Sequence, residues 1–149
     1  MRRIYTRAGD SGLTRDASGR KLPKDHPRVV RLGRIDSLQA ALDLARLGAR
    51  GRTRAMLQEV QEKLWEEAGP EDVRRLESLI ASQGAPPRSF VRFGSARAIA
   101  LNECRVRCRE LESACAPLLR SGEMKPAAYA WLNRLSSLLF MLAVRASRR

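Results

Sequence analysis

The sequence predicts an all-α protein, a bundle of about five helices with up-and-down packing behind a basic N-terminal loop. Three observations support this prediction. Apolar residues recur at three- and four-residue spacing almost everywhere beyond residue 31. Glycine and proline interrupt that spacing where helices would end. Aromatic residues make up 5% of the 149 residues and hydrophobic residues 44%, so the core must be mostly aliphatic.

The chain has the length of a single domain, 1–149, which we divide into a loop, 1–31, and a helical bundle, 32–149. The loop lacks helical periodicity and contains several glycines and prolines. Gly9 and Gly12 would let backbone amides approach an anion closely, and hydroxyl side chains flank them. The same pattern also fits a plain polar surface loop. His26, the single histidine, lies in a polar part of this segment and is expected to be exposed.

Helix signals place the five elements along the rest of the chain. Pro70 suits the first position of a helix, and Glu71 and Asp72 suit the positive end of its dipole. Asp36 is expected near the start of the first helix, where an acidic residue commonly caps. Pro117 is expected to kink the fourth helix or to end it early. The helices are expected at residues 35–47, 57–68, 70–80, 96–119 and 125–145.

The charge is strongly basic, with a formal net charge of +13. Residues 1–34 hold 10 basic and 3 acidic residues, and residues 120–149 hold 6 and 1, whereas the middle of the chain is nearly balanced. This pattern indicates a polyanionic partner, a nucleotide or a nucleic acid, although a GC-rich genome also enriches arginine. A basic run near the N-terminus is either a solvated face or a phosphate contact; it comprises Arg20, Lys21, Lys24, Arg28, Arg31 and Arg34.

The three cysteines share one side of the predicted fourth helix. Cys104, Cys108 and Cys115 lie within about 40° of one another at helical geometry. One helix face cannot surround a tetrahedral ion, so we interpret them as small buried hydrophobes rather than as a metal site. An odd number of cysteines favours a reducing compartment, and we expect a cytoplasmic protein. The longest apolar run, 138–144, is short for a membrane span, and no secretory signal is evident.

Polar residues on the last two helices are candidates for binding. Arg105 and Arg109 repel each other at a spacing of four residues unless an anion or a carboxylate lies between them. Glu112 relieves part of that repulsion. Asn133 is polar within an apolar helix, where it either bridges neighbouring helices or binds a ligand.

Taken in order, several segments resemble the propanediol-utilisation type of ATP:cob(I)alamin adenosyltransferase. The family loop Tyr-Thr-x-x-Gly-Asp-x-Gly-x-Thr is matched here, and Lys24 and Asp25 match a following Lys-Asp pair. Later segments at 90–95, 104–113 and 129–137 resemble the family's turn and its two long helices. The matched loop residues are Tyr5, Thr6, Gly9, Asp10, Gly12 and Thr14.

The resemblance implies a ferritin-like or four-helix-bundle type of fold, assembled as a homotrimer with its active sites between subunits. Cobalt(I) of the corrinoid would attack the 5′ carbon of ATP and release triphosphate. Phe90 and Phe93 would contact the corrinoid, and Phe90 would exclude its lower axial base. Arg105 would pair with Asp36 of a neighbouring helix or subunit. The nucleotide-binding residues would be Tyr5, Thr6, Arg7, Gly9, Asp10, Gly12, Thr14, Lys24, Arg105, Arg109, Glu112 and Asn133.

The same resemblance implies Mg²⁺ bound through the ATP phosphates and delivery of adenosylcobalamin to a dependent enzyme. Arg105, Arg109, Asp36 and Phe90 would be the catalytic residues. The sequence departs from the family pattern at Ser37, Glu110, Ser113 and Ser137. Two alternatives therefore stay open. One is a non-catalytic relative that binds a nucleotide or corrinoid, and the other is a basic helical protein that binds nucleic acid, for which the stacking aromatics are sparse.

Overall fold

Five helices form most of the fold in the computed structural model, which describes residues 4–5 and 7–148. The all-α bundle predicted from the sequence is confirmed. Two short antiparallel strands precede the helices, β1 (Leu13–Arg15) and β2 (Lys21–Pro23). The helices are α1 (Pro27–Gly48), α2 (Gly51–Lys63), α3 (Pro70–Ala81), α4 (Ala96–Arg120) and α5 (Pro126–Ser147).

Helix α4 lies at the centre of the bundle and packs against both α1 and α5. Helix α3 packs on the other side of α5, and α2 packs on α1. Each fully buried leucine at these contacts contributes on the order of 1.5–3 kcal/mol to the free energy of folding. The core is largely aliphatic, as expected, and its fully buried leucines are Leu38, Leu42, Leu57, Leu101, Leu111, Leu135, Leu138 and Leu139.

Helix α1 begins at Pro27, inside the segment that the sequence analysis assigned to a loop. His26 is the N-cap, and its Nδ1 accepts a hydrogen bond from the Arg28 backbone N–H at 3.2 Å. Pro27 occupies the first turn, where its missing N–H costs nothing. The early start places Asp36 about three turns into the helix, so the expectation that it lies near the helix start is wrong.

Helix α2 differs from its predicted range, and α4 does not end early at its internal proline. Helix α2 begins at Gly51 and ends at Lys63, ahead of the predicted range. Pro117 lies inside α4, which continues to Arg120. A proline so close to the C-terminus removes one hydrogen bond to the preceding turn, and the packed apolar face outweighs that loss.

The N-terminal segment contains a β-hairpin that the sequence analysis did not predict. Asp16 holds its turn, because one carboxylate oxygen accepts hydrogen bonds from the backbone N–H groups of Ser18 and Arg20 at 3.0 and 2.9 Å. The Ser18 hydroxyl donates to the same oxygen, and together these bonds lower the pKa of Asp16. Leu22 on β2 is the buried residue of the hairpin's second strand.

Helix α5 is, within the described residues, the one helix long and apolar enough in composition to cross a membrane. The apolar run 138–144 by itself is too short for a membrane span, but α5 as a whole meets the criterion of length and composition. The apolar window of α5 is 61% buried inside the protein, as in the core helix of a bundle.

The three cysteines are buried and reduced, which confirms their interpretation as core residues. The Cys108 thiol donates a hydrogen bond to the Leu132 carbonyl at 3.4 Å. Burial raises the pKa of the Cys104 thiol to about 12 and also raises the pKa values of Cys108 and Cys115.

These thiols are expected to be unreactive in the folded protein. At pH 8 all three thiols stay protonated and buried, whereas only the thiolate form reacts as a nucleophile. We expect negligible labelling by a chromogenic disulfide reagent in buffer and three equivalents after denaturation. Rapid labelling of any one thiol without denaturant would contradict the buried placement of that cysteine.

Candidate active site

The hairpin brings Lys24 against the glycines of the N-terminal loop. The Lys24 backbone N–H donates to the Gly12 carbonyl at 2.9 Å. A Cβ atom added to Gly9 would lie 3.0 Å from Lys24 Nζ, so the ammonium group lies directly over the Gly9 backbone. Gly12 has a φ of 75°, a left-handed conformation that favours glycine. A cation and glycine backbone therefore lie side by side in this loop, which suits an anion.

The other predicted loop residues lie around this region. Arg7 has a φ of 60°, and its guanidinium carbon lies 6.0 Å from the centre of the Tyr5 ring. The Asp10 backbone N–H donates to the Arg7 carbonyl at 3.2 Å and closes a turn. Thr14 belongs to β1, where it pairs with Leu22. The predicted residue Thr6 lies outside the described residues.

A wide groove of about 650 Å³ runs along α4 beside α1 and contains the two predicted arginines. Arg105 and Arg109 line it, and Arg34 joins them from α1. Arg34 Nη1 lies 2.9 Å from Glu110 Oε2, and Arg107 lies 3.3 Å from the same oxygen. Glu110 is therefore neutralised by two arginines of this chain. Arg109 forms no ion pair with any described residue, so its charge is free to act in the groove.

A second groove, of about 710 Å³, lies at the start of α4 and is lined by aromatic residues. Phe90 and Phe93 come from the α3–α4 connection, and Phe140 comes from α5. The Phe93 and Phe140 rings meet edge to face with centroids 6.3 Å apart. Phe90 is 90% exposed, so its ring contributes little to the packing of the core and is accessible to a ligand in this groove.

Arg105 lines both grooves and therefore joins them. Its guanidinium carbon lies 5.2 Å from the centre of the Phe140 ring, within the range of a cation–π contact. Its other polar contact is a long one, 3.5 Å from Nη1 to Asn102 Oδ1. The ring positions this charge without neutralising it.

Asn133 bridges α5 to α4. Its side-chain NH₂ donates to Glu112 Oε1 at 2.9 Å, and its carbonyl oxygen accepts from Arg134 at 2.8 Å. Arg134 also donates to Glu77 on α3 at 2.9 Å. The helix-bridging role considered for Asn133 is thus present, and the network fixes which way its exposed amide points.

The expected pair between Arg105 and Asp36 does not form within the chain. Asp36 is exposed on α1, and across the described residues it has no ion-pair partner. The two residues line no common groove. A pair across subunits stays a prediction.

Sequence reasoning did not single out Arg34 or Phe140 as site residues. Arg34 belongs to the basic run of the sequence. It lies on α1 because that helix begins at Pro27, earlier than predicted. Phe140 lies seven residues after Asn133, which is two helical turns, so spacing places both on one face, but it does not mark Phe140 as a site residue. Within the described residues, no cluster of three His, Cys, Asp or Glu side chains could hold a metal ion.

The family model for cobalamin adenosyltransferase matches residues 4–146, nearly the whole described chain. The chain belongs to this family. Its similarity to curated adenosyltransferases extends over almost all of its length. It is 32% identical over 162 residues to the corrinoid adenosyltransferase PduO of Citrobacter freundii, and the match covers 94% of this chain. It is 31% identical over 176 residues to the human corrinoid adenosyltransferase MMAB, covering 99% of this chain and 70% of that protein.

The chain spans about half the length of the curated PduO relatives it matches, 48% for the Citrobacter protein. A shorter corrinoid adenosyltransferase of Citrobacter freundii matches end to end, at 32% identity over 96% of this chain and 94% of that one. Among solved structures, a variant of the PduO-type ATP:corrinoid adenosyltransferase of Lactobacillus reuteri, complexed with cobalamin and ATP, superposes with a TM-score of 0.82. It is 25% identical, with coverage of 98% of this chain and 94% of that one.

Phe90 and Phe140 should differ sharply in their effect on the stability of this adenosyltransferase-family bundle. Phe90→Ala removes an exposed ring and should change the free energy of unfolding by less than about 0.5 kcal/mol. Phe140→Ala removes the ring that contacts both Phe93 and Arg105 and should cost about 1–3 kcal/mol, below the range for fully buried phenylalanine. Urea denaturation measures both. Equal losses would contradict the assignment of Phe90 to a surface role.

Proposed function

We propose that the protein is an active corrinoid adenosyltransferase. It transfers the 5′-deoxyadenosyl group of ATP to cob(I)alamin and yields adenosylcobalamin and triphosphate. The observation that carries this proposal is the adjacency of two grooves, one cationic and one aromatic, that share Arg105. A phosphate-bearing substrate and a large, partly apolar ring system require surfaces of these two kinds. Membership of the cobalamin adenosyltransferase family supports it.

The cations have a direct role in this reaction. Triphosphate departs with a large negative charge, and preorganised positive groups stabilise that charge as it develops. Lys24 over the glycine loop and Arg109 on α4 are the groups we assign to it. Mg²⁺ would be bound through the phosphates of ATP, as the resemblance to the family implies. Glu112 and Asn133, which are hydrogen-bonded to each other, would contact the nucleotide, and Arg134 orients the Asn133 amide.

The aromatic groove would bind the corrin ring. Phe90, exposed at its rim, would occupy the space of the lower axial base, with Phe93 beside it. Removal of a donor ligand makes a metal easier to reduce, which favours the cobalt(I) nucleophile. Attack on the 5′ carbon forms the cobalt–carbon bond as the bond to the triphosphate oxygen breaks.

The reaction site would be completed between subunits of a homotrimer. Asp36 is exposed and Arg105 has no carboxylate partner in the described chain, which suits a pair formed across an interface. The three free cysteines suit a cytoplasmic protein. Its product, adenosylcobalamin, would pass to a dependent enzyme.

A non-catalytic relative is the second candidate, and Glu110 favours it. Its carboxylate lies in the cationic groove, paired with Arg34 and Arg107, and so weakens the positive field there. A nucleic-acid binder remains the third candidate, favoured by the net charge of +13. Its signature would be an affinity for nucleic acid that falls steeply with salt.

The direct test uses the purified full chain, chemically reduced cob(I)alamin and MgATP under anaerobic conditions. Catalytic growth of the adenosylcobalamin spectrum above a no-enzyme control is the expected result. Binding of ATP or corrinoid to folded protein without product would instead support the non-catalytic relative.

Arg109→Ala should abolish most turnover without unfolding the bundle. Arg109 is exposed and unpaired in the groove, so its loss removes a phosphate ligand rather than a structural contact. Loss of one such donor typically lowers kcat by about 10²–10³-fold. Arg120→Ala, at the far end of the same helix, removes an equal charge and serves as the control. Turnover of Arg109→Ala at the level of that control would overturn the assigned role.

A further inference from the structure

A third cavity, of about 420 Å³, lies where the α1–α2 turn meets the start of α4 and the end of α5. It shares no lining residue with the two grooves of the candidate active site. Its charged lining consists of four arginines, Arg50, Arg52, Arg97 and Arg145, with no acidic residue from the described chain. Four like charges converge here from three separate parts of the fold, with Arg97 partly buried and the other three exposed, and a bound anion would reduce their mutual repulsion.

The start of α2 adds to this positive charge. Gly51 and Thr53, in its first turn, line the cavity, and the N-cap residue Arg50 makes no side-chain hydrogen bond to the helix. The first turn contains Arg52 and Arg54 and no acidic residue, the reverse of what a helix dipole favours. A Cβ atom at Gly51 would meet nothing within 4 Å, so the backbone there is open to a bound group.

Arg97 supplies an independent observation. Its Nε is buried and has no hydrogen-bond partner among the described residues. A buried guanidinium N–H left without an acceptor is costly, so such groups are normally satisfied. Arg145 is held in place from the other side, because its Nη1 donates to Gln83 Oε1 at 3.2 Å. One of the four arginines is thus held in place before any ligand binds.

We propose that this cavity binds a small phosphate-bearing anion, inorganic phosphate or a short polyphosphate. Guanidinium groups match phosphate oxygens in pairs, and the N–H groups of a helix start offer further donors. The Thr53 hydroxyl can donate as well, and the apolar floor of Leu101 and Leu142 excludes water from one side. The volume lies in the range of small-ligand sites. The inference is independent of the proposed adenosyltransferase activity.

Residue-resolved NMR on the ¹⁵N-labelled full chain tests the proposal. Orthophosphate and tripolyphosphate are titrated separately, with chloride adjusted to keep the ionic strength constant. We expect saturable shifts of the Gly51, Arg52 and Thr53 amides and of the Arg97 Nε–H resonance. The anion with the lower midpoint concentration is the preferred ligand, which distinguishes inorganic phosphate from a short polyphosphate. Binding in the active-site loop is reported separately, by the amides of Gly9 and Gly12.

Two variants and one matched control decide the outcome. Arg97→Gln and Arg52→Gln should each raise the midpoint concentration of the anion, measured at the α2 amides, by tenfold or more. Arg120→Gln, at the opposite end of α4 from Arg97, removes the same charge and should leave it unchanged. Arg52 is exposed, so its variant keeps the test valid if Arg97→Gln fails to fold. No saturable shift in the parent protein, or equal midpoints in the parent and in the folded variants, overturns the proposal.

Discussion

The burial of one face of α4 is the constraint on which the rest of the structure depends. Its leucines and cysteines lie between α1 and α5 and make the central contacts of the bundle. Because a helix has one set of angles for all its residues, burying Cys104 and Cys108 directs Arg105 and Arg109 away from the core. The hydrophobic effect thus orients the charged groups of the candidate site, and the three thiols act through their size and not through their chemistry.

Ion pairs engage part of the charge of this protein, and several arginines outside those pairs line the grooves. Ion pairs join α1 to α4, α2 to α3 and α3 to α5 along the surface. Such exposed pairs contribute little stability each, but they determine which arginines remain available. Arg34 and Arg107 are engaged by Glu110, whereas Arg109 is not. Glu110, one of the positions that depart from the family pattern, therefore alters the field of the groove without pairing with Arg109.

The sequence predicted the elements with the clearest physical signals and missed those without one. Apolar spacing located α3, α4 and α5 to within a few residues, since long amphipathic segments average out local noise. The start of α1 was missed because arginines break the apolar pattern there, and only the cap at His26 and Pro27 marks it. Strands of three residues are too short to show an alternating pattern, so the sequence did not predict the hairpin. The roles of the site residues named by resemblance stay predictions. The contact of Phe140 with Arg105 joins two helices, so it could be found only from the packed structure.

The shared position of Arg105 has a consequence for how two ligands would affect each other. One guanidinium borders both grooves and rests on the Phe140 ring, so it cannot turn fully toward either groove at no cost to the other. Whatever occupies one groove changes the average direction of that charge and therefore the affinity of the second groove. Such thermodynamic linkage is reciprocal, and its size is set by the energy needed to move the guanidinium off the ring. The coupling between the two ligands would then depend on a single cation–π contact, that of Arg105 with Phe140.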